Sequence, residues 1–281
     1  MEIELPSGSL GVDRVRIMGI LNTTPDSFSD GGRYRELERA LARAVQMAAE
    51  GADIIDIGGE KAGPGEPVSL EEELRRVVPV VAAVKREISL PVSVDTLKPD
   101  VARMALDAGA DIINSIGGFD DPALRRVAAN ARAGVIVMHI QGTPRVANPC
   151  PVYGDVVEEV RRFLLERAAL CVADGIDASR IIIDPGPDFG KTADQTIAVL
   201  RNLERLTELP YPVLLAASRK RFIGEMLGTE VDDRLEGSLA VATWGVLQGV
   251  RLVRVHDVRA TKRIVTMVEA VLNPWEVEAI G

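Results

Sequence analysis

Gly51-Ala52-Asp53-Ile54-Ile55 and Gly109-Ala110-Asp111-Ile112-Ile113 are one five-residue phrase used twice, each time between a helix-like stretch and a short aliphatic run. A glycine in that place suits a helix C-cap, and the aliphatic run after it suits a strand. Working outward, further Val/Ile-rich runs give eight in all, at 15–21, 53–57, 91–95, 111–114, 134–139, 180–184, 212–217 and 251–255. Between them, 36–50, 70–87, 99–108 and 153–174 carry apolar residues at three- and four-residue intervals, the period of an amphipathic helix. Runs this apolar belong to strands covered on both faces. Eight strand-then-helix units predict an α/β protein, a single closed (β/α)8 barrel. No Ser/Gly linker, charge block or low-complexity tract divides the chain. One domain is therefore expected across 1–281, its barrel running from about Arg14 to about Leu272 with short terminal extensions.

Composition removes several functions. The 281 residues carry 42 acidic and 33 basic side chains, a formal charge of −9, with 47% hydrophobic residues. That balance, with two Trp, three Tyr and five Phe, argues against a nucleic-acid partner, which needs a basic surface and stacking rings. No apolar run approaches the ~18 residues of a membrane span, and the first ten residues lack a basic region followed by a hydrophobic one, so a cytoplasmic protein without a membrane partner is expected. Cys150 and Cys171 are not in a CxxC spacing, and His139 and His256 complete a set too small for a cysteine or histidine metal centre.

In a barrel of this kind chemistry happens at the C-terminal ends of the strands. Here every strand end carries a polar residue: Asn22; Asp56 and Glu60; Asp95; Asn114; His139 and Gln141; Asp184; Ser218 and Lys220; Arg254 and His256. A single Asp at a strand end is more often a helix N-cap, and Asp56 fits that reading best. Eight such ends together point to a polar pocket. Asp95, Asn114, Asp184 and Lys220 offer carboxylates, an amide and an ammonium to a flat heterocycle with N–H and C=O edges. Asn22, Arg254 and His256 suit phosphate oxygens, and the Asn22 amide oxygen suits magnesium. The long connections after the first two strands, 22–32 and 58–65, read as functional covers, and neither contains a P-loop pattern.

Several segments now resemble one family closely. Met18-Gly19-Ile20-Leu21-Asn22-Thr23-Thr24-Pro25-Asp26-Ser27-Phe28-Ser29-Asp30-Gly31-Gly32 is similar to the first signature of the dihydropteroate synthases, with Thr23 where Val is usual. Asp56-Ile57-Gly58-Gly59-Glu60, Ser93-Val94-Asp95-Thr96, Met138-His139-Ile140-Gln141-Gly142, Phe189-Gly190-Lys191-Thr192, Ser218-Arg219-Lys220-Arg221 and Arg254-Val255-His256 follow in the family's order. The resemblance implies a transferase of folate biosynthesis. It would condense 6-hydroxymethyl-7,8-dihydropterin pyrophosphate with p-aminobenzoate, using Mg2+, as a homodimer and a sulfonamide target.

By matched position, the implied pterin pocket is Asp95, Asn114, Asp184 and Lys220, and the implied pyrophosphate site is Asn22, Arg254 and His256, with Asn22 also touching the metal. The p-aminobenzoate subsite would draw on Phe28, Pro64, Phe189, Ser218 and Lys220. Lys220, Arg254, His256 and Asp95 would carry catalysis.

Two places depart from the family. After Glu60 it usually reads Ser-Thr-Arg-Pro-Gly, where this chain has Lys61-Ala62-Gly63-Pro64-Gly65, and Asn114-Ser115 replaces Asn-Asp. The altered loop resembles actinobacterial homologues, and leaves open a second reading: a pterin-binding protein that uses another amine or makes no dihydropteroate. Lys61 has two readings: it supplies the positive charge that Gly63 lacks, or it is a solvated loop lysine.

Overall fold

The computed structural model describes residues 1–23 and 32–272, with the backbone alone over 32–35. Strands β3 (Arg16–Asn22), β4 (Ile54–Gly58), β5 (Val92–Asp95), β6 (Ile112–Ser115), β7 (Gly134–Met138), β8 (Ile181–Asp184), β9 (Leu214–Leu215) and β10 (Leu252–Val255) form one eight-stranded parallel sheet. Its order is β8-β7-β6-β5-β4-β3-β10-β9, and a parallel bridge between Ile183 and Val213 joins the two ends into a ring. Helices wrap the outside: α1 (Gly32–Ala49), α2 (Leu70–Glu87), α3 (Pro99–Asp107), α4 (Pro122–Asn130), α5 (Val156–Ala173), α6 (Ala193–Arg201), α7 (Glu204–Thr207), α8 (Arg221–Leu227), α9 (Leu235–Leu247) and α10 (Val258–Leu272). This is the (β/α)8 barrel expected from the sequence. No described helix is long and apolar enough to cross a membrane.

The repeated Gly-Ala-Asp phrase does the same task at both places. Gly51 and Gly109 hold φ +98° and +106°, the left-handed backbone that turns a helix end toward its strand. Asp53 then accepts the Ile17 N–H at 2.9 Å, and Asp111 accepts the Val92 N–H at 2.8 Å. Each carboxylate thereby ties the start of its own strand to the strand beside it, and each has a cation alongside, Arg16 at 3.2 Å and Lys85 at 2.9 Å.

Two features differ from expectation. The N-terminal extension is a structured hairpin, with β1 (Glu2–Leu5) antiparallel to β2 (Gly8–Gly11). Its alternation buries Ile3 and Leu5 and exposes Glu2 and Glu4, and with Val12 it closes the barrel floor against Met18, Ile54, Ile112, Ile136, Ile182, Leu214 and Leu252. Each such side chain removed from water contributes about 1.5–3 kcal/mol. The seventh strand, expected over 212–217, shrinks to Leu214–Leu215. Pro212 has no N–H to give, and the Val213 carbonyl accepts from both Arg251 and Leu252.

Candidate active site

Barrel interiors fill in layers, because every second residue of a strand returns to the same face. The floor layer here is Met18, Ile54, Ser93, Ile112, Ile136, Ile182, Leu214 and Leu252. Two residues further along each strand the chemistry changes: Ile20, Asp56, Asp95, Asn114, Met138, Asp184, Ala216 and Arg254. Three carboxylates, an amide and a guanidinium thus sit on a floor that is apolar but for Ser93. That placement needs no special folding device. It follows from strand period alone.

Arg254 is the hub of this upper layer. Its Nε donates to Asp56 Oδ2 at 2.6 Å and its Nη2 reaches Asp95 Oδ2 at 3.2 Å. Burial works against its charge, but the two carboxylates outweigh burial and hold its pKa above the ordinary value. Asp56 is wholly buried within β4, and its Oδ1 has no partner among the described residues. The sequence reading of Asp56 as a helix N-cap is therefore corrected: it lies inside the strand and pairs with Arg254. Burial pushes the Asp95 carboxyl up to about 7, with Arg254 lowering and Asp56 raising it further.

Asp184 and Lys220 face the same space from β8 and from the residue before α8. Burial raises the Asp184 pKa, and Lys220 and the Gly186 N–H, which donates to Asp184 Oδ1 at 2.7 Å, oppose it. Burial brings the Lys220 ammonium down to about 8. That ammonium donates to the Pro187 carbonyl at 2.8 Å and lies 4.0 Å from the centre of the Phe189 ring, a cation–π seat. Asn114 is buried in β6 opposite Asp95.

His256 stands just past β10. Its Nδ1 lies 3.0 Å from Ser218 Oγ, which also accepts the His256 backbone N–H at 3.2 Å. With that lone pair engaged, the hydroxyl is placed to donate to Nδ1, which puts the ring N–H on Nε2. Burial, with Arg254 next, lowers this histidine to about 4, so it is neutral at pH 7. Ser218 is occupied in this way and does not line the cavity beside Lys220. Asn22 ends β3 exposed to the mouth. Among the described residues no cluster of three acidic, His or Cys side chains could hold a metal by itself. A hard amide oxygen at the mouth fits magnesium that arrives with a diphosphate and keeps its waters, because such ions take only one or two protein ligands.

Beside this pocket lies a cavity of about 450 Å³ walled by Pro64, Gln141, Arg145, Asp188, Phe189 and Lys220, among others. Lys61 is exposed and does not line it, although it has a partner in the structure. Phe28 falls outside the described residues. Sequence reasoning assigned no role to Lys191, a residue 2% exposed whose ammonium is bonded to His139 Nδ1 at 2.7 Å, the Gly186 carbonyl at 2.9 Å and the Phe189 carbonyl at 3.2 Å. Burial lowers it to about 7. The same burial, with Lys191 adjacent, drops His139 to about 2 and keeps the imidazole an acceptor.

A (β/α)8 barrel with buried carboxylates set against buried cations at the strands' C-terminal ends is a barrel enzyme for a small, polar, charged ligand. The family described as pterin binding enzyme matches residues 18–256. The dihydropteroate synthase of Bacillus subtilis is 44% identical over 270 residues, covering 95% of this chain and 92% of that protein. Two structures of Xanthomonas albilineans dihydropteroate synthase superpose on 97% of this chain. One, with 4-aminobenzoic acid, has a TM-score of 0.91 at 44% identity over 98% of its chain; the other, with 7,8-dihydropteroate, has 0.88 at 43% over 99%. The chain belongs to the pterin-binding enzyme family, on its dihydropteroate synthase branch.

Proposed function

We propose that this protein is a dihydropteroate synthase, condensing 6-hydroxymethyl-7,8-dihydropterin diphosphate with p-aminobenzoate in folate biosynthesis. The observation that carries the reading is the upper layer itself, where Asp184 and Asp95 face Lys220 and Arg254 over the barrel floor. A carboxylate such as Asp184 accepts paired N–H bonds from an amino-pyrimidinone edge, each worth about 1.5–3 kcal/mol. Lys220 supplies the matching donor, and Asn114 and Asp95 complete the grip.

Loss of diphosphate leaves positive charge that the pterin ring delocalises. The methylene C–O bond breaks with both electrons leaving on the diphosphate, the arylamine nitrogen forms the new C–N bond, and that nitrogen then loses its proton. The protein needs no nucleophile of its own. Arg254, neutral His256 through Nε2–H, and Asn22 hold the departing anion, and the buried pocket keeps water from the cation. Magnesium held by Asn22 and the diphosphate oxygens would neutralise leaving-group charge. Pro64, Phe189 and Lys220 wall the cavity assigned to p-aminobenzoate, where sulfonamides would compete.

The chain is proposed to work as one barrel domain over 1–281, in the cytoplasm, as a homodimer. Trp244 and Leu247 on α9 and Met267, Val271 and Leu272 on α10 are large apolar side chains exposed on neighbouring helices, and such a patch favours self-association. Sedimentation at micromolar concentration tests the dimer. The activity is tested by supplying both substrates with Mg2+ and measuring diphosphate and dihydropteroate. Product formation is expected, with pterin affinity lost in Asp184→Ala. Pterin binding without product would turn the assignment to the second reading.

A further inference from the structure

Loop two, residues 61–68, brings only Ala62, Gly63 and Pro64 to the cavity, with no hydroxyl and no charge among them. A guanidinium is nevertheless bound to that loop, and it comes from the segment after β7. Arg145 has a left-handed backbone, φ +65°, and its side chain is 11% exposed. Its Nη2 donates to the Glu66 carbonyl at 2.6 Å, its Nη1 to the Lys61 carbonyl, and its Nε lies 3.1 Å from Glu60 Oε1. The Gly65 N–H returns a bond to the Arg145 carbonyl at 3.3 Å. One side chain therefore joins both ends of loop two.

Glu60 is anchored in turn. It accepts the Val68 N–H at 2.7 Å and the Lys98 ammonium at 2.9 Å, and Lys98 also pairs with buried Glu73. Glu73 accepts the Thr96 hydroxyl at 2.6 Å, and Thr96 directly follows Asp95. A continuous chain of bonds thus runs from the end of β5 to the underside of loop two. Against burial, the Val68 N–H and Lys98 hold the Glu60 carboxyl below its usual range.

We propose that Arg145 is a positioning residue for the second substrate: it clasps loop two to the segment after β7, fixing the Pro64 wall of the cavity that Phe189 and Lys220 close from the other side. The role rests on the p-aminobenzoate reading above. A guanidinium suits it because the fork serves several acceptors at fixed angles, which an ammonium cannot copy.

The test uses the full chain and its Arg145→Ala and Arg145→Lys variants. In Arg145→Ala the KM for p-aminobenzoate should rise about tenfold, with kcat within about threefold and the Kd for the pterin diphosphate within about twofold. Arg145→Lys should recover part of the loss. An unchanged KM, or a pterin Kd that weakens in step with it, overturns the proposal. Hydrogen exchange over 61–68 requires no turnover: faster exchange in Arg145→Ala is expected, and identical exchange also overturns it. If the unmutated chain makes no dihydropteroate while the exchange difference stands, the functional reading fails and the clasp does not.

Discussion

Asp56 and Arg254 form a buried ion pair, 2.6 Å long, that passes over β3 to connect β4 with β10. Asp95 shares the same guanidinium at 3.2 Å, so two carboxylates compete for one cation. Asp56→Asn removes the negative charge that raises the Asp95 carboxyl, whose value of about 7 comes first from burial. The acid limb of kcat/KM, set near pH 7 by Asp95, should move to lower pH in that variant. Arg254→Met should move it upward as well as weaken turnover. The alkaline limb, near pH 8 from Lys220, should stay in Asp56→Asn and move upward in Arg254→Met, because the Arg254 charge helps to lower that ammonium. A pH–rate series on the three proteins checks the signs.

Buried neutral histidine makes the fold sensitive to acid. His256 titrates near 4 in the folded chain against an ordinary 6.5, so the unfolded chain takes up a proton first as pH falls. The stability tied to it is complete above pH 6.5 and is lost between about 6.5 and 4. At 1.36 kcal/mol per unit this is about 3 kcal/mol. Asp95, raised by burial, acts with the opposite sign, losing stability as pH rises toward 7. His256→Asn keeps the Asp95 contribution and removes the histidine one. Its unfolding midpoint should therefore depend less steeply on acid than the parent's, as followed by circular dichroism.

Two glycine-to-alanine changes should part company. At Gly186, φ +61°, an added Cβ would collide with the His139 carbonyl oxygen, and the N–H that bonds Asp184 would be displaced. A loss of more than about 3 kcal/mol is expected, together with weaker pterin binding. At Gly63 nothing lies within 4 Å of the added atom. That variant should be neutral or gain about 0.4–1 kcal/mol by stiffening the unfolded chain. Thermal melts of both resolve the difference.

The hairpin at the barrel floor carries stability and not chemistry. Ile3 is fully buried there, remote from the mouth. Ile3→Ala should cost about 2–5 kcal/mol in denaturant melts, with both substrate KM values unchanged.

The barrel was legible because strands covered on both faces can only be near-continuous Val and Ile, and the Gly-Ala-Asp phrase marks two of the helix-to-strand passages. The mouth was legible as polar residues punctuating those runs. Asp56 was misread because an N-cap and a buried ion-pair partner share a residue type, and only its register two beyond Ile54 separates them. Lys191 and Arg145 escaped for a related reason. A lysine folded under its own turn and an arginine reaching back across loops look solvated in one dimension: the Lys191 acceptors are carbonyls of that turn and the distant His139 ring, and those of Arg145 are main-chain carbonyls far away in sequence. The hairpin did leave a signal, the alternation of Glu2-Ile3-Glu4-Leu5 ahead of Pro6-Ser7-Gly8.

The ring of strands has one thin seam, where the two residues of β9 and the single Ile183–Val213 bridge complete it. Asp184 ends the strand on one bank, and Lys220 follows β9 on the other. A ligand gripped by both acts as a rivet across the weakest stave of the cask, so occupancy should quieten amide exchange along 213–216 more than anywhere else on the wall.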